Sequence, residues 1–81
     1  MRLVDTENFR ESLKKQPEPT RKKFYKQAGY LLRDLRHPSL HAKKFDVAQD
    51  IWQARVDRNV RFYFKIRGDT YYLLEIRKHP K

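Results

Sequence analysis

The strongest constraint on this fold lies between Val60 and Arg67. There Val60, Phe62, Phe64 and Ile66 occupy one parity, and Arg61, Tyr63, Lys65 and Arg67 the other. Successive side chains of a strand point to opposite faces, so a period-two pattern builds two different surfaces on one ribbon. The segment predicts a strand with a hydrophobic underside and a cationic, aromatic upper face. A polyanion is the natural complement of such a face.

The whole chain shares that sign. Its 20 Lys and Arg against 10 Asp and Glu give a net charge of +10. A field of that size attracts nucleic acid, an anionic membrane surface or an acidic protein, and a neutralising partner relieves the self-repulsion it causes. Eighty-one residues make a single domain, 1–81, near the lower limit for a self-sufficient core. With no cysteine there is no disulfide, thiolate metal site or cysteine nucleophile, which fits a reducing cytosol. No apolar run approaches the ~20 residues of a membrane span. Met1-Arg2-Leu3-Val4-Asp5 runs into polar residues, so no signal peptide is expected. The expected location is cytoplasmic, without a membrane contact.

Before the alternating segment the pattern is helical. Arg2-Leu3-Val4 reads as a short strand, and Asp5 or Thr6 caps a first helix with Phe9 and Leu13 on one face. Gln16-Pro17-Glu18-Pro19 breaks it. A second helix starts at Pro19 or Thr20 and carries Phe24, Ala28, Leu31, Leu32 and Leu35 on its apolar face, until His37-Pro38 ends it. Gly29 lies inside it and is expected to permit close packing. Strands follow near 43–47, at 51–56, and at 60–67 and 70–77 around Gly68-Asp69. Trp52, Ala54 and Val56 share one face of the second of these, with Gln53 and Arg55 on the other. Helices in one block and strands in another predict an α+β fold: a short N-terminal strand, a two-helix hairpin, then a three- to four-stranded antiparallel sheet with the helices on one face.

Register decides which groups meet on the open face. A two-residue Gly68-Asp69 turn sets Arg61, Tyr63 and Lys65 beside Tyr72, Leu74 and Ile76. A three-residue Arg67-Gly68-Asp69 connection aligns Val60, Phe62 and Phe64 with that apolar set, and burial favours it. Arg61, Glu75, Arg77 and His79 then share a solvent-facing patch, joined by Arg55, with Lys43 and Lys44 at its edge.

Such a patch suits RNA cleavage without a metal. That reaction needs a base for the 2′-hydroxyl, an acid for the leaving 5′-oxygen and cations on the phosphorane-like transition state. Histidine suits either proton role, so His79 is the candidate. Arginine keeps its proton, so Arg61 and Arg55 are electrostatic clamps. Tyr63, Lys65 and Arg77 are candidate RNA contacts, with Tyr63 able to stack on a base or to serve as core. His41 is either a phosphate contact or an ordinary loop residue. Trp52 reads first as core. Glu75 pairs with an arginine more naturally than it binds metal, no His/Asp cluster has metal-ligand spacing, and two glycines cannot form a nucleotide-binding loop. No cofactor or metal is expected.

The ordered set His37-Pro38-Ser39-Leu40-His41-Ala42-Lys43-Lys44, Ile51-Trp52-Gln53-Ala54-Arg55-Val56, Val60-Arg61-Phe62-Tyr63-Phe64 and Gly68 to His79 resembles the RelE/ParE superfamily of type II toxins. With the helical hairpin included, the likeness spans nearly the whole chain. It implies a ribosome-dependent mRNA interferase that cuts mRNA in the ribosomal A site, leaving a 2′,3′-cyclic phosphate and a 5′-hydroxyl. The family's transition-state arginine then matches Arg61, a basic residue one strand earlier matches Arg55, and the acid ending the last strand matches His79. Lys43 and Lys44 match the basic strand beside the RNA backbone. Many relatives carry a further aromatic or basic residue after this histidine, where this sequence has Pro80-Lys81, so Tyr63 or Trp52 would have to stack instead. A cognate acidic antitoxin is the implied partner. A gyrase-directed or catalytically inert relative is the alternative.

Overall fold

The computed structural model describes residues 1–79, so Pro80 and Lys81 lie outside the described residues. The elements are β1 (Arg2–Asp5), α1 (Glu7–Lys14), α2 (Glu18–Arg33), a 3-10 turn (Pro38–Leu40), β2 (Lys43–Asp46), β3 (Ile51–Arg55), β4 (Val60–Arg67) and β5 (Thr70–Lys78). They form one five-stranded sheet in the order β1-β5-β4-β3-β2. The architecture is α+β as expected, with the short N-terminal strand and the four strands after the helices in a single sheet. β1 joins the sheet by running parallel to β5, from Arg2 opposite Thr70 to Asp5 opposite Leu73.

Thr6 caps α1, its hydroxyl accepting from the Phe9 N–H at 3.2 Å. α2 begins at Glu18, directly after Pro17, and ends at Arg33, four residues before His37. Leu35 consequently lies past the helix and packs from the following turn, while Leu32 is 39% exposed rather than core. Gln27, a polar residue, takes a buried place on the inner side of α2 instead. Gly29 has no atom within 4 Å of where a Cβ would stand, so close packing does not explain it.

An aromatic chain ties the layers together. Phe9 meets Phe24 at 5.1 Å between ring centroids, Phe24 meets Phe62 at 5.2 Å, Phe62 meets Phe64 at 5.7 Å, and Phe64 meets Tyr71 at 5.5 Å. Tilted and edge-on rings at these separations combine area burial with favourable quadrupole contacts.

The hairpin resolves its register differently from either simple alternative. Arg67 pairs with Thr70, so the turn is the two-residue Gly68-Asp69, with Gly68 at φ 57. The ladder runs from there to Phe64–Leu73, then shifts by one residue and continues as Tyr63–Glu75, Phe62–Ile76 and Arg61–Arg77. The bulge reconciles the turn with burial. Tyr71 and Leu73 fill the core near the turn, and Ile76 takes over beyond it, in place of the expected Tyr72, Leu74 and Ile76. Without the extra residue, Glu75 and Arg77 would follow Leu73 into the core, at a prohibitive desolvation cost. α1 satisfies the disrupted backbone: Thr6 Oγ1 donates to the Leu73 carbonyl at 2.7 Å, Asn8 Nδ2 to that of Leu74 at 2.9 Å, and the Ile76 N–H donates to Ser12 Oγ at 3.1 Å.

Candidate functional site

The bulge aligns a row of arginines on the face away from the helices. Arg55, Arg61 and Arg77 stand side by side on β3, β4 and β5, with Gln53, Tyr63 and Glu75 one pair inward. Lys43 pairs with Gln53 on the outer side, and His79 closes the far side, its N–H donating to the Asn59 carbonyl at 2.7 Å. Between them is a cleft of about 390 Å³ lined by His41, Ala42, Lys43, Gln53, Arg55, Arg61 and His79. No carboxylate is among these lining residues.

Arg61 is the floor. Its residue surface is only 8% exposed, so it is not the open, solvent-facing group that the alternation suggested. The walls and the β3–β4 turn enclose it: Nη1 donates to the carbonyls of Asp57 at 2.7 Å and of Arg58 and Val60 at 3.2 Å. These bonds use one guanidinium nitrogen, and the residue lines the cleft. Burial first, and then the neighbouring Arg55 guanidinium, press its pKa below the ordinary arginine value. Two adjacent guanidiniums in a shielded cleft repel one another until an anion sits between them.

The turn beneath Arg61 depends on Asp57, whose carboxylate accepts from the N–H groups of Asn59 at 2.8 Å and Val60 at 2.9 Å. Burial pushes the Asp57 pKa up, but the two amide bonds and Lys23, 3.5 Å away, together outweigh it and hold the carboxyl below its ordinary range. On the other wall, Gln27 is a buried strut. Its amide nitrogen donates to the carbonyls of Ser39 at 3.1 Å and Arg55 at 3.0 Å, and its oxygen accepts from the Ser39 hydroxyl at 3.2 Å. The strut joins α2, the 3-10 turn and β3, the elements that carry His41 and Arg55. The helical alternation in α2 gives no sign of it, because a glutamine at that position reads as surface.

Gln53 is the second residue the alternation did not single out. It is 7% exposed, and its Oε1 is buried without a hydrogen-bond partner among the described residues. An unpaired buried acceptor is rare in folded proteins and calls for an explanation, of which a bound ligand is one.

The other expected contacts are dispersed. Lys44 pairs with Trp52 on the opposite face, lying 5.3 Å from the indole centroid and bonding Asp50, because adjacent strand residues point opposite ways. Of the two lysines, only Lys43 reaches the cleft. Tyr63 is 4% exposed, beneath Phe45 (4.9 Å between centroids) and the Arg77 guanidinium (4.7 Å from the ring centroid). Its ring is sequestered from a stacking base. Trp52 stacks on Phe64 instead, as a core residue would. Arg77 pairs with Glu75 at 3.6 Å, and neither it nor Lys65 lines the cleft. His37 stacks on Tyr30 at 3.9 Å and bonds Ser39, a structural role. Among the described residues no group of three or more His, Cys, Asp or Glu could hold a metal ion, and no helix is long and apolar enough to cross a membrane.

A five-stranded sheet backed by a two-helix hairpin is a fold that solved structures share. The YoeB/ParE toxin from Agrobacterium tumefaciens superposes with a TM-score of 0.81 at 15% identity, covering 99% of this chain and 100% of that one. The RelBE2 toxin–antitoxin complex from Mycobacterium tuberculosis matches at 0.78 and 22% identity, with 95% of each chain covered. The RelB–RelE antitoxin–toxin complex from Methanococcus jannaschii matches at 0.76 and 19%, covering 93% of this chain and 88% of that one. No family model and no curated protein matches the sequence. The chain has the fold of the RelE/ParE superfamily of toxins.

Proposed function

We propose that this protein is the toxin of a toxin–antitoxin pair and acts as a metal-independent, ribosome-dependent endoribonuclease. The observation that carries the reading is the convergence of Arg55, Arg61, Lys43 and His79 on one cleft without a lining carboxylate. The 2′-hydroxyl of a bound message attacks the adjacent phosphate. Arg61 and Arg55 hold the charge that develops on the phosphoryl oxygens, Lys43 steadies the backbone, and His79 protonates the departing 5′-oxygen. The products are a 2′,3′-cyclic phosphate and a 5′-hydroxyl. Preorganised cations in a partly enclosed site stabilise the transition state more than they would in water, and each donor removed typically costs ~10²–10³ in rate.

The partners follow from the charge and the fold. An acidic antitoxin segment that folds onto the cationic face would neutralise part of the +10 and cover the cleft. Structures of this fold include toxin–antitoxin complexes from Methanococcus jannaschii and Mycobacterium tuberculosis. mRNA in the ribosomal A site is the substrate, which places the protein in the cytoplasm.

Induced expression followed by mapping of mRNA 5′ ends on translating ribosomes tests the proposal. Cuts at fixed codon positions are expected for the wild type and not for Arg61→Ala or His79→Ala, with folding of both variants confirmed by circular dichroism. Intact messages with damaged DNA would replace it with a gyrase-directed toxin, and growth unaffected by the wild type would leave an inert antitoxin-binding relative.

A further inference from the structure

We propose that His41 is the second proton-transfer residue of the cleft, taking the 2′-hydroxyl proton while His79 protonates the 5′-oxygen. The assignment rests on the endoribonuclease reading above. As the 2′-oxygen bonds to phosphorus its proton passes to the His41 imidazole. The bond from phosphorus to the 5′-oxygen breaks, and that oxygen takes a proton from the His79 imidazolium. Water then restores both rings.

Three observations converge on His41. The first is order across the sheet. In-line displacement puts the attacking and leaving oxygens on opposite sides of phosphorus, so base and acid must flank the cations. β2, β3, β4 and β5 are consecutive neighbours; His41 lies two residues before β2, Arg55 ends β3, Arg61 is on β4, His79 directly follows β5, and all four line one cleft. The β2 and β5 lines lie three inter-strand spacings, about 14 Å, apart, which leaves room for a phosphate between the two sides of the cleft.

The second is chemistry by elimination. Arginine keeps its proton, and imidazole alone has an unperturbed pKa between about 5 and 8. The carboxylate that lines the adjoining groove, Asp57, is engaged by two turn amides and Lys23.

The third is the backbone. His41 is held at φ 46, ψ 43, a left-handed conformation that normally selects glycine or asparagine. The flanking structure is firmly anchored: Leu40 is fully buried, and Gln27 holds the Ser39 carbonyl. A histidine maintained in a strained position at the rim of a cleft is the pattern of a functional side chain.

Ionisable groups that share the cleft or the adjoining groove with His41 are Lys43, Arg55, Arg61 and His79 on the sheet side, Asp57 and Arg58 in the β3–β4 turn, and Lys23 and Lys26 on α2. His79 faces Arg61, Arg58 and Lys78.

The test is single-turnover cleavage on programmed ribosomes, using mRNA with either a normal or a 5′-bridging sulfur at the scissile linkage. A thiolate leaves without an acid. His41→Asn is the variant of choice because asparagine accepts the left-handed backbone. It should slow cleavage of both messages by ~10²–10⁴-fold. His79→Ala should be slow on the normal message and restored toward wild type on the sulfur one. Wild-type rate should be bell-shaped in pH, since the base must be free and the acid protonated, and His41→Asn should lose the low-pH limb. An active wild type whose His41→Asn variant cuts within threefold of it, or is rescued by sulfur, overturns the assignment alone. An inert wild type overturns the endoribonuclease reading with it.

Discussion

Gln53 shows how one side chain can set stability against function. Its Oε1 is buried and unpaired among the described residues, and the residue lines the cleft together with Lys43, Arg55 and Arg61. Leaving a buried acceptor unmade typically costs ~1–3 kcal/mol. Gln53→Leu should therefore raise the thermal midpoint of the free protein, or leave it unchanged, while weakening binding of a single-stranded RNA by severalfold. Calorimetry and fluorescence titration on the same preparation read both effects. A large loss of stability would mean that the oxygen already has a partner. The exchange is the usual one at a binding site, where groups kept for a ligand are unsatisfied without it.

At the scale of elements, α2 and the β3–β4 turn make contrasting predictions. Gly29 stands exposed in the interior of α2 with open space around it. Gly29→Ala should therefore stabilise the protein by up to ~1 kcal/mol in urea unfolding, by helix propensity alone. Destabilisation would reveal a contact at that surface.

Asp57 acts through charge. Its folded pKa lies below the ordinary 3.8, so its contribution is fully present above that value and is lost as pH falls through the depressed folded pKa. Asp57→Asn should lower the thermal midpoint at pH 7, and the gap to wild type should close in acid below about 3.8. The same substitution should loosen the carbonyls that seat Arg61, so the proposed RNA cleavage should fall with stability. Preserved activity in a destabilised Asp57→Asn protein would show that Arg61 needs no such seat.

For the whole molecule, the +10 net charge would make the proposed association with RNA a counterion-release process. If Lys43, Arg55 and Arg61 each meet one phosphate, log K should fall against log salt with a slope of about −2 for a single strand. Arg55→Gln should flatten that slope by about 0.7, the value for one phosphate contact. Lys44→Gln should leave it nearly unchanged, because Lys44 bonds Asp50 on the other face. A titration series in salt separates these two positions more cleanly than affinity at one concentration.

Period-two alternation from Val60 to Arg67, the apolar stripe containing Phe24, Ala28 and Leu31, and the proline breaks were enough to determine an α+β chain with a cationic sheet face. These are local properties, dictated by backbone geometry and by which side chains tolerate water. That Arg55 joins the face of Arg61 was legible from parity, and the structure added that the two residues pair directly across β3 and β4.

Only the assembled structure decided the rest. The bulge near Leu74 arises from conflict between a two-residue turn and the cost of burying Glu75 and Arg77, a choice that no single strand contains. The parallel docking of β1, the enclosure of Arg61, the covering of Tyr63 by Phe45 and Arg77, and the Gln27 strut join residues far apart in sequence. Their energies depend on what lies beside them in space, and local pattern carries no record of that.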